Sequence, residues 1–321
     1  MKKVSVIIPA WYEAKTIKET LQSLLEMEYP RQVCEVIVVA GGTDGTYDLA
    51  HDFAGAAKAF SRYVVVLQEP GGKNAAIQKG LKEARHDIVV LLDADTRFVP
   101  GALAALIEPI LEGKSDLTIA NPEAVTRTWV SDYYLINKLF FINQISTYSG
   151  HAMAFRLDVV KDRLDYFFDK RVKVGVDYLF AKRMREGGMV IRFVKEAKVI
   201  TCIPSTLRYF LRTELRWGGA FIRIDGVRFG SLFRSIAVCG ALVGVMPLWK
   251  WFFIAAVLFH VGFVTKKIHM CRAVSAQLPL RATSAAGFVL LSYLQHLVNL
   301  TCYVRHFLNA SRDLQLYQGE R

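Results

Sequence analysis

Two aspartates one residue apart, Asp93 and Asp95, are the side chains whose type and position first suggest chemistry. They follow the run IVVLL (88–92), whose lack of polar alternation is typical of a strand buried on both faces of a parallel sheet. Because a buried carboxylate is costly unless it is paired or bound to a cation, we expect both where the strand leaves the sheet. The pair predicts a Mg²⁺ or Mn²⁺ site, with a helix-capping turn as the alternative.

Other polar side chains lie at the starts of predicted helices. Lys73 follows a Gly-Gly turn, where it either meets a phosphate oxygen or is a solvated loop charge. Glu13 follows the first predicted strand, where an acid at the start of a helix is favoured by the helix dipole. Asp177 lies at the start of a predicted helix, where an aspartate can cap it, and Asp44 is expected to cap the helix after it. His151 is an isolated histidine, which is more often a satisfied polar residue than a catalyst.

Strands and helices alternate through the first third of the chain, and this order positions those side chains. The predicted strands are 4–9, 34–41, 63–69 and 87–95, and the predicted helices are 14–27, 46–60, 74–85 and 101–113. This rhythm with short connections predicts an α/β fold with a doubly wound, mostly parallel, Rossmann-like sheet. Right-handed crossovers place the four loops after these strands on one edge. Further on, 115–124 and 190–201 are predicted strands, and 176–188 is a predicted helix.

Composition narrows the class of protein. The chain is 53% hydrophobic, with a mean hydropathy of +0.25 and a net charge of +12. Beside apolar segments, this charge favours an anionic membrane surface or a phosphate-bearing substrate, and no motif supports nucleic-acid binding. The five cysteines are scattered, which predicts reduced thiols rather than disulfides or a metal site. The N-terminal apolar run stops at Pro9, so we interpret it as a strand and not an export signal.

The C-terminal third changes character. Residues 206–235 mix aromatic, aliphatic and arginine side chains, as expected of helices at a membrane interface, although a basic surface helix is the alternative. The apolar stretches 236–264 and 282–304 predict membrane spans. The first is either one tilted span or a hairpin of two, and the cations between the stretches favour the hairpin, hence three crossings. We predict a catalytic domain over 1–205, interfacial helices over 206–235, a membrane region over 236–304 and a polar tail over 305–321.

Six sequence blocks in order resemble the inverting glycosyltransferases of family 2, which have the GT-A fold. The resemblance covers residues 1 to 220, and its blocks are VSVIIPAWYEAKTIKETLQSLL, VIVVAGGTDGT, GGKNAAIQKGLKEA, VLLDADT, SGHAMAFR and GVDYLFAKRMREGG.

The resemblance assigns a donor side to the site. It implies that Asp95 holds the metal ion and that Asp93 faces the ribose or the waters of the metal. Pro9, Glu13 and Lys73 would contact the nucleotide. A metal held there would stabilise the departing diphosphate.

It also assigns an acceptor side. Asp177 takes the position of the general base that inversion requires, and His151 lies in the block that lines the acceptor. TELRW (213–217) resembles the Q-x-x-R-W block of membrane-bound members. Arg216 would then pair with the diphosphate, and Trp217 would form a floor for an acceptor sugar.

Four positions depart from the family pattern. Val39 and Ala40 stand where relatives commonly have an aspartate that recognises the base, so a UDP-sugar is the default donor and a GDP-sugar an option. Val176 replaces the acid that usually precedes the base. Thr213 stands where Gln or Arg is expected, which weakens the case for a processive polymerase more than that for a transferase.

We therefore expect a metal-dependent, inverting glycosyltransferase that is integral to the cell membrane, with its catalytic domain in the cytoplasm. It would move a sugar from a nucleotide diphosphate to a lipid, a lipid-linked glycan or a polysaccharide. The alternatives are a catalytically weak nucleotide-sugar-binding subunit of a membrane complex and a soluble nucleotidyltransferase.

Overall fold

The computed structural model of the protein describes residues 2–140, 150–243, 250–274, 278, 280 and 282–318. The chain divides into two compact units, of which the first comprises Met1–Val125 and Phe141–Cys202. The second comprises Thr126–Phe140 and Ile203–Arg321, so residues 126–140 group with the C-terminal part of the chain.

The first unit is built on a curled sheet that has eight strands among the described residues. Its strands are β1 (Val4–Trp11), β2 (Cys34–Gly41), β3 (Arg62–Leu67), β4 (Ile88–Leu92), β5 (Thr96–Phe98), β6 (Leu117–Ala124), β7 (Ala152–Arg156) and β8 (Ile191–Thr201). Their order is β3-β2-β1-β4-β7-β6-β8-β5. The four predicted strands pair in parallel as β3-β2-β1-β4, while β7 is antiparallel to both β4 and β6. The predicted α/β class is confirmed.

Strand β4 is buried on both faces, as its sequence predicts. Val90 and Leu92 belong to one apolar core, and Val89 and Leu91 belong to the core on the other face. Because β4 is central, the carboxylates that follow it emerge in the middle of the sheet edge. Pro9, which has no N–H to donate, lies on β1 beyond the part of that strand that pairs with β4.

Helices cover both faces of this sheet. With helices numbered in chain order over both units, those of the first unit are α1 (Ile17–Leu25), α2 (Thr46–Asp52), α3 (Lys73–Glu83), α4 (Ala102–Leu111), α6 (Leu157–Val160), α7 (Leu164–Phe167) and α8 (Val176–Glu186). Helix α3 packs closely on β1, since a Cβ atom at Gly80 would lie 2.4 Å from Cγ2 of Ile7. This contact fixes the start of α3 over the carboxyl ends of the parallel strands.

The regular structure in the described part of the second unit consists of helices. Its helices are α5 (Trp129–Phe140), α9 (Leu207–Asp225), α10 (Phe229–Val243), α11 (Lys250–Val274) and α12 (Ala282–Gln318). Tyr133 packs its ring against Phe210 and Phe288, with centroids 5.2 and 5.4 Å away. Buried Glu214 on α9 accepts hydrogen bonds from Tyr134 (3.0 Å) and Gln295 (2.9 Å), which join α9 to α5 and α12.

One helix among the described residues is long and apolar enough to cross a membrane. It is Thr283–Leu308, with a mean hydropathy of 1.3, and Phe229–Gly240 is a shorter apolar helix. Residues 244–249, within the first predicted apolar stretch, lie outside the described residues. The described part of the predicted tail, up to residue 318, continues α12.

Candidate active site

Asp93, Asp95 and His151 form a group that could hold a metal ion. One ligand atom of each lies within 4.8 Å of the other two. Strand β7 brings His151 there, because its antiparallel pairing sets Ala152 opposite Leu92 and the N–H of Asp93 donates to the carbonyl of His151 (2.9 Å). Two carboxylates with an imidazole suit Mn²⁺ better than Mg²⁺, which prefers oxygen ligands alone.

Two buried threonines support this group, and the sequence analysis did not identify them. Thr96 and Thr201 are paired across β5 and β8, with their hydroxyl oxygens 2.8 Å apart. Oγ1 of Thr201 lies 3.3 Å from Nδ1 of His151, and Oγ1 of Thr96 donates to Oδ1 of Asp95 (3.3 Å). Such bonds orient the side chains that ligate a metal. The sequence signal is a hydroxyl residue immediately after the aspartate pair.

Lys73 is an integral part of the cluster rather than a solvated loop charge. It is the first residue of α3, and its Nζ donates to Oδ1 of Asp93 over 2.5 Å. Both side chains are only partly exposed, at 33% for Lys73 and 24% for Asp93. A part-buried ion pair of this kind places one fixed positive charge beside the candidate metal ligands, where a phosphate oxygen would be attracted.

Two carboxylates of the cluster, Asp93 and Asp95, have raised pKa values. Burial raises the pKa of Asp93 to about 7, with Asp95 and Asp177 acting in the same direction and Lys73 opposing them. Burial also raises the pKa of Asp95, although Lys73 and the threonine hydroxyls counteract it. The site therefore holds more acidic groups than its lysine can neutralise, which is an electrostatic environment suited to a divalent cation.

Asp177 faces the same cluster from α8. It is the second residue of that helix, and its charge interacts with those of Lys73 and Asp93. Its Oδ2 accepts a hydrogen bond from the N–H of Gly150 (2.6 Å). A Cβ atom at Gly150 would lie 2.5 Å from Cβ of Asp177, so the backbone can approach only because this residue is glycine.

Side chains of α3 anchor the segment that leads into α8. Nδ2 of Asn74 donates to the carbonyls of Asp169 (2.6 Å) and Val172 (3.3 Å). Nε2 of Gln78 donates to Oδ1 of Asp165 and to the carbonyl of Phe168. The helix that begins with Lys73 thus also sets the position of the chain that delivers Asp177.

Glu13 lies at the same edge, after β1. Burial raises its pKa, with Asp95 and Asp44 adding to the effect, while its hydrogen bond from Thr16 (2.9 Å) lowers it. Asp44 has a structural role, as expected, since it accepts hydrogen bonds from the N–H of Thr46 (3.2 Å) and of Ala14 (3.1 Å). These bonds tie the loop after β1 to the start of α2.

At the two positions where an aspartate would recognise the nucleotide base, this chain has apolar side chains. Val39 and Ala40 are fully buried on β2, and Pro9 pairs with Val39 in the ladder. Any base recognition at this edge must come from other groups.

Arg216 and Trp217 belong to the second unit, on α9. The Trp217 ring lies 5.5 Å from that of Phe221, one turn further along the helix. Their contacts with a diphosphate and an acceptor sugar stay predictions.

Two protein-family models match the sequence of this chain. The model of "Glycosyl transferase family 2" matches residues 5–164, and that of "Glycosyl transferase family group 2" matches residues 88–295. The second match alone covers more than half of the chain.

Two relatives and one solved structure are similar to this chain. The "Probable glycosyltransferase YdaM" of Bacillus subtilis is 25% identical over 235 residues, which cover 68% of this chain and 54% of the relative. The "Poly-beta-1,6-N-acetyl-D-glucosamine synthase" of Staphylococcus epidermidis is 34% identical over 106 residues, 33% of this chain and 24% of the synthase.

The solved structure is that of the mannosyltransferase PcManGT from Pyrobaculum calidifontis, in complex with GDP-Man and Mn²⁺. It has a TM-score of 0.60 at 20% identity, over 95% of this chain and 87% of that chain, so it shows a shared fold. This chain thus spans about half the length of YdaM and a quarter of the synthase. On the family matches, the chain belongs to glycosyltransferase family 2, with a catalytic unit of the GT-A type.

Proposed function

We propose that this protein is a membrane-bound, metal-dependent, inverting glycosyltransferase. It moves a sugar from a nucleotide diphosphate to a lipid, a lipid-linked glycan or a polysaccharide end. The observation that carries the proposal is the convergence of Lys73, Asp177 and the group Asp93, Asp95 and His151 at one sheet edge. The family membership supplies the reaction class, and this cluster supplies groups for it.

Asp93, Asp95 and His151 would hold the metal ion. Bound there, the ion would neutralise the diphosphate as it leaves. Lys73 contributes a second positive charge to the same phosphates, and Glu13 contributes to binding the nucleotide. The similarity to a mannosyltransferase in complex with Mn²⁺ supports this ion, while Mg²⁺ remains the alternative.

Asp177 is the proposed base. It removes the proton of the acceptor hydroxyl, whose oxygen then forms a bond to the anomeric carbon. The bond from that carbon to the diphosphate oxygen breaks, and its electron pair leaves with the nucleoside diphosphate. Because one displacement occurs, the configuration inverts. A positioned base contributes about 10²–10⁴-fold to such a step.

The donor is proposed to be a UDP-sugar, with a GDP-sugar as the alternative. The carboxylate-free end of β2 supports neither base specifically. The two names among the similar proteins, an N-acetylglucosamine polymer synthase and a mannosyltransferase in complex with GDP-Man, keep both donors open.

Membrane attachment is proposed from the apolar surface of the second unit. Large apolar side chains of α12 are exposed at intervals of about two turns: Leu290 (53%), Leu297 (52%) and Val304 (48%). Exposed aliphatic stripes on a helix of this length are stable in a bilayer and costly in water. The similarity to a polysaccharide synthase supports an acceptor that is a growing glycan as well as a lipid. We propose the cell membrane as the location, with the catalytic unit in the cytoplasm.

A donor screen tests this function. Membranes that carry the protein are incubated with Mn²⁺ and with UDP- or GDP-sugars, and the lipid fraction is read by mass spectrometry. Wild type should add one class of sugar, and Asp177→Asn should add at least about 10²-fold less. Asp52→Asn, at an exposed aspartate of α2, is the matched control. Unchanged transfer by Asp177→Asn would refute the proposed base. Donor binding with no transfer or hydrolysis by wild type would favour a scaffold subunit.

A further inference from the structure

The second unit contains a long stretch with positive charge and no negative charge. Between residues 226 and 312 the sequence has nine Lys and Arg residues and neither an Asp nor a Glu. The helices α10 and α11 and most of α12 lie in this stretch. Positive charge of this kind beside apolar surface attracts anionic headgroups.

Lys267 is the most constrained of these cations. Its Nζ lies 5.0 Å from the ring centroid of Phe288 and 5.5 Å from that of Phe263. Phe288 is fully buried, and Lys267 itself is partly buried. Among the described residues no carboxylate forms an ion pair with Lys267. Two aromatic faces offset only part of the cost of removing an ammonium from water, so an anion is expected beside it.

A histidine on α12 lies within electrostatic range of one cation on α10 and one on α11. His296 on α12 interacts with both Lys267 and Arg234. Nδ1 of His296 lies 3.2 Å from the hydroxyl oxygen of Ser235, the residue after Arg234 on α10. The ring of Phe263, one turn from Lys267, lies 5.9 Å from that of His296. Three helices thus contribute, to a single region of this unit, an arginine, a lysine and an imidazole that can donate a hydrogen bond.

We propose that Arg234, Lys267 and His296 bind the phosphate of an anionic lipid. Exposed apolar side chains on the same helices, such as Phe233 (64%) and Leu297 (52%), would contact its hydrocarbon chains. The phosphate belongs either to a headgroup of the surrounding bilayer or to a lipid-linked acceptor, and both present the same anionic oxygens. The inference rests on the proposed membrane attachment and not on the catalytic cluster, since all three residues belong to the second unit.

Native mass spectrometry of the full chain in a non-ionic detergent tests the proposal. The protein is titrated with phosphatidylglycerol, with phosphatidylcholine and with farnesyl phosphate. The test variant is Lys267→Gln. Its control is Lys266→Gln, which removes the same charge from an exposed neighbour on the same helix. Wild type should bind phosphatidylglycerol at least about tenfold more tightly than phosphatidylcholine, because the choline ammonium offsets the phosphate charge of the second lipid and the first lipid is a net anion.

Lys267→Gln should lose about tenfold of this affinity, and Lys266→Gln should stay within about twofold of wild type. Arg234→Gln should also weaken the binding of phosphatidylglycerol. Because Arg234 is exposed, this second variant tests the site without the risk that a substitution at the partly buried Lys267 impairs folding. Tighter binding of farnesyl phosphate than of phosphatidylglycerol assigns the phosphate to an acceptor, and the reverse order assigns it to a bilayer headgroup.

Equal losses in Lys267→Gln and Lys266→Gln, or equal binding of the anionic and zwitterionic lipids by wild type, would overturn the proposal. Donor hydrolysis measured in the same detergent distinguishes a failure of the lipid-site proposal from a failure of the proposed function. Lys267→Gln should hydrolyse donor at the wild-type rate. If wild type hydrolyses no donor but discriminates the lipids as described, the lipid site stands and the proposed function fails.

Discussion

The Nζ atom of Lys73 lies 2.5 Å from Oδ1 of Asp93, which joins the first turn of α3 to the end of β4. This ion pair brings a cation to the group that also includes Asp95 and His151. A cation so close to candidate metal ligands keeps an acidic cluster stable before a metal ion binds. It also provides a positive charge for the donor phosphates.

Lys73→Gln should reduce kcat/KM for the donor by about 10²-fold, because a charged hydrogen bond to phosphate contributes about 1.5–3 kcal/mol and Asp93 also loses its partner. Most of the loss should appear in KM if Lys73 binds ground-state phosphates. Steady-state donor hydrolysis measures it, with Lys79→Gln on the same helix as the control. Lys79 pairs with Glu69 at the surface. A Lys73→Gln enzyme with unchanged KM and kcat would exclude contact with the phosphates.

Metal affinity should depend on pH, because burial raises the pKa of Asp93 to about 7 in the metal-free protein. A metal ligand must be deprotonated, so below pH 7 the ion has to displace a proton and its affinity falls. Above pH 7 Asp93 is already ionised and the dependence levels off. We expect Mn²⁺ affinity to rise by up to about tenfold per pH unit from pH 5.5 to 7. Paramagnetic resonance of free Mn²⁺ measures it, and a flat profile over this range would contradict the assignment.

His151 is predicted from sequence to line the acceptor, whereas the structure sets it among candidate metal ligands. The two roles differ in what His151→Ala changes. As a ligand, His151 is expected to contribute at least about tenfold to Mn²⁺ affinity, and excess Mn²⁺ should restore part of the activity. As an acceptor contact alone, it would leave Mn²⁺ affinity intact and raise the KM for acceptor. Titration of both substrates and of Mn²⁺ separates these outcomes.

Gly150→Ala should move Asp177, because the added Cβ would lie 2.5 Å from Cβ of that residue. A displacement near 1 Å of a reacting group costs about 10²-fold in rate. We expect kcat to fall by that order while the Kd for the nucleotide stays within about threefold. Gly188→Ala is a poor control because its φ of +77° is strained for alanine. Gly55→Ala meets no atom within 4 Å and is the better one. Equal kcat in Gly150→Ala and wild type would show that Asp177 does not depend on this contact.

The parallel part of the fold follows from local sequence patterns. The run 88–92 has no polar position, and both of its faces are buried in two separate cores. The starts of α3 and α8 were also predicted to within about one residue, because a glycine, Gly72 or Gly175, immediately precedes each helix. These local patterns therefore predict which side chains lie at the carboxyl ends of the parallel strands.

The antiparallel part could not be predicted in the same way. Strand β7 is five residues long and enters the sheet between β4 and β6, which are distant in sequence. Its pairing is a tertiary effect without a local signal, and it is the pairing that sets His151 beside Asp93. The position of His151 beside Asp93 could therefore not be predicted from an isolated histidine in the sequence. Helix α5 was also not predicted, because its buried positions include Ser131, Asp132 and Lys138, which interrupt the apolar pattern.

Nucleotide binding with and without Mn²⁺, measured by calorimetry on Asp95→Asn and Asp177→Asn, tests the central claim most directly. That claim is that Asp95 holds the metal ion that binds the diphosphate, while Asp177 acts as the general base. It predicts that Asp95→Asn loses the Mn²⁺-dependent part of UDP or GDP affinity, and that Asp177→Asn keeps this part but does not turn over donor. Mn²⁺-dependent nucleotide binding that survives in Asp95→Asn at the wild-type level would contradict it.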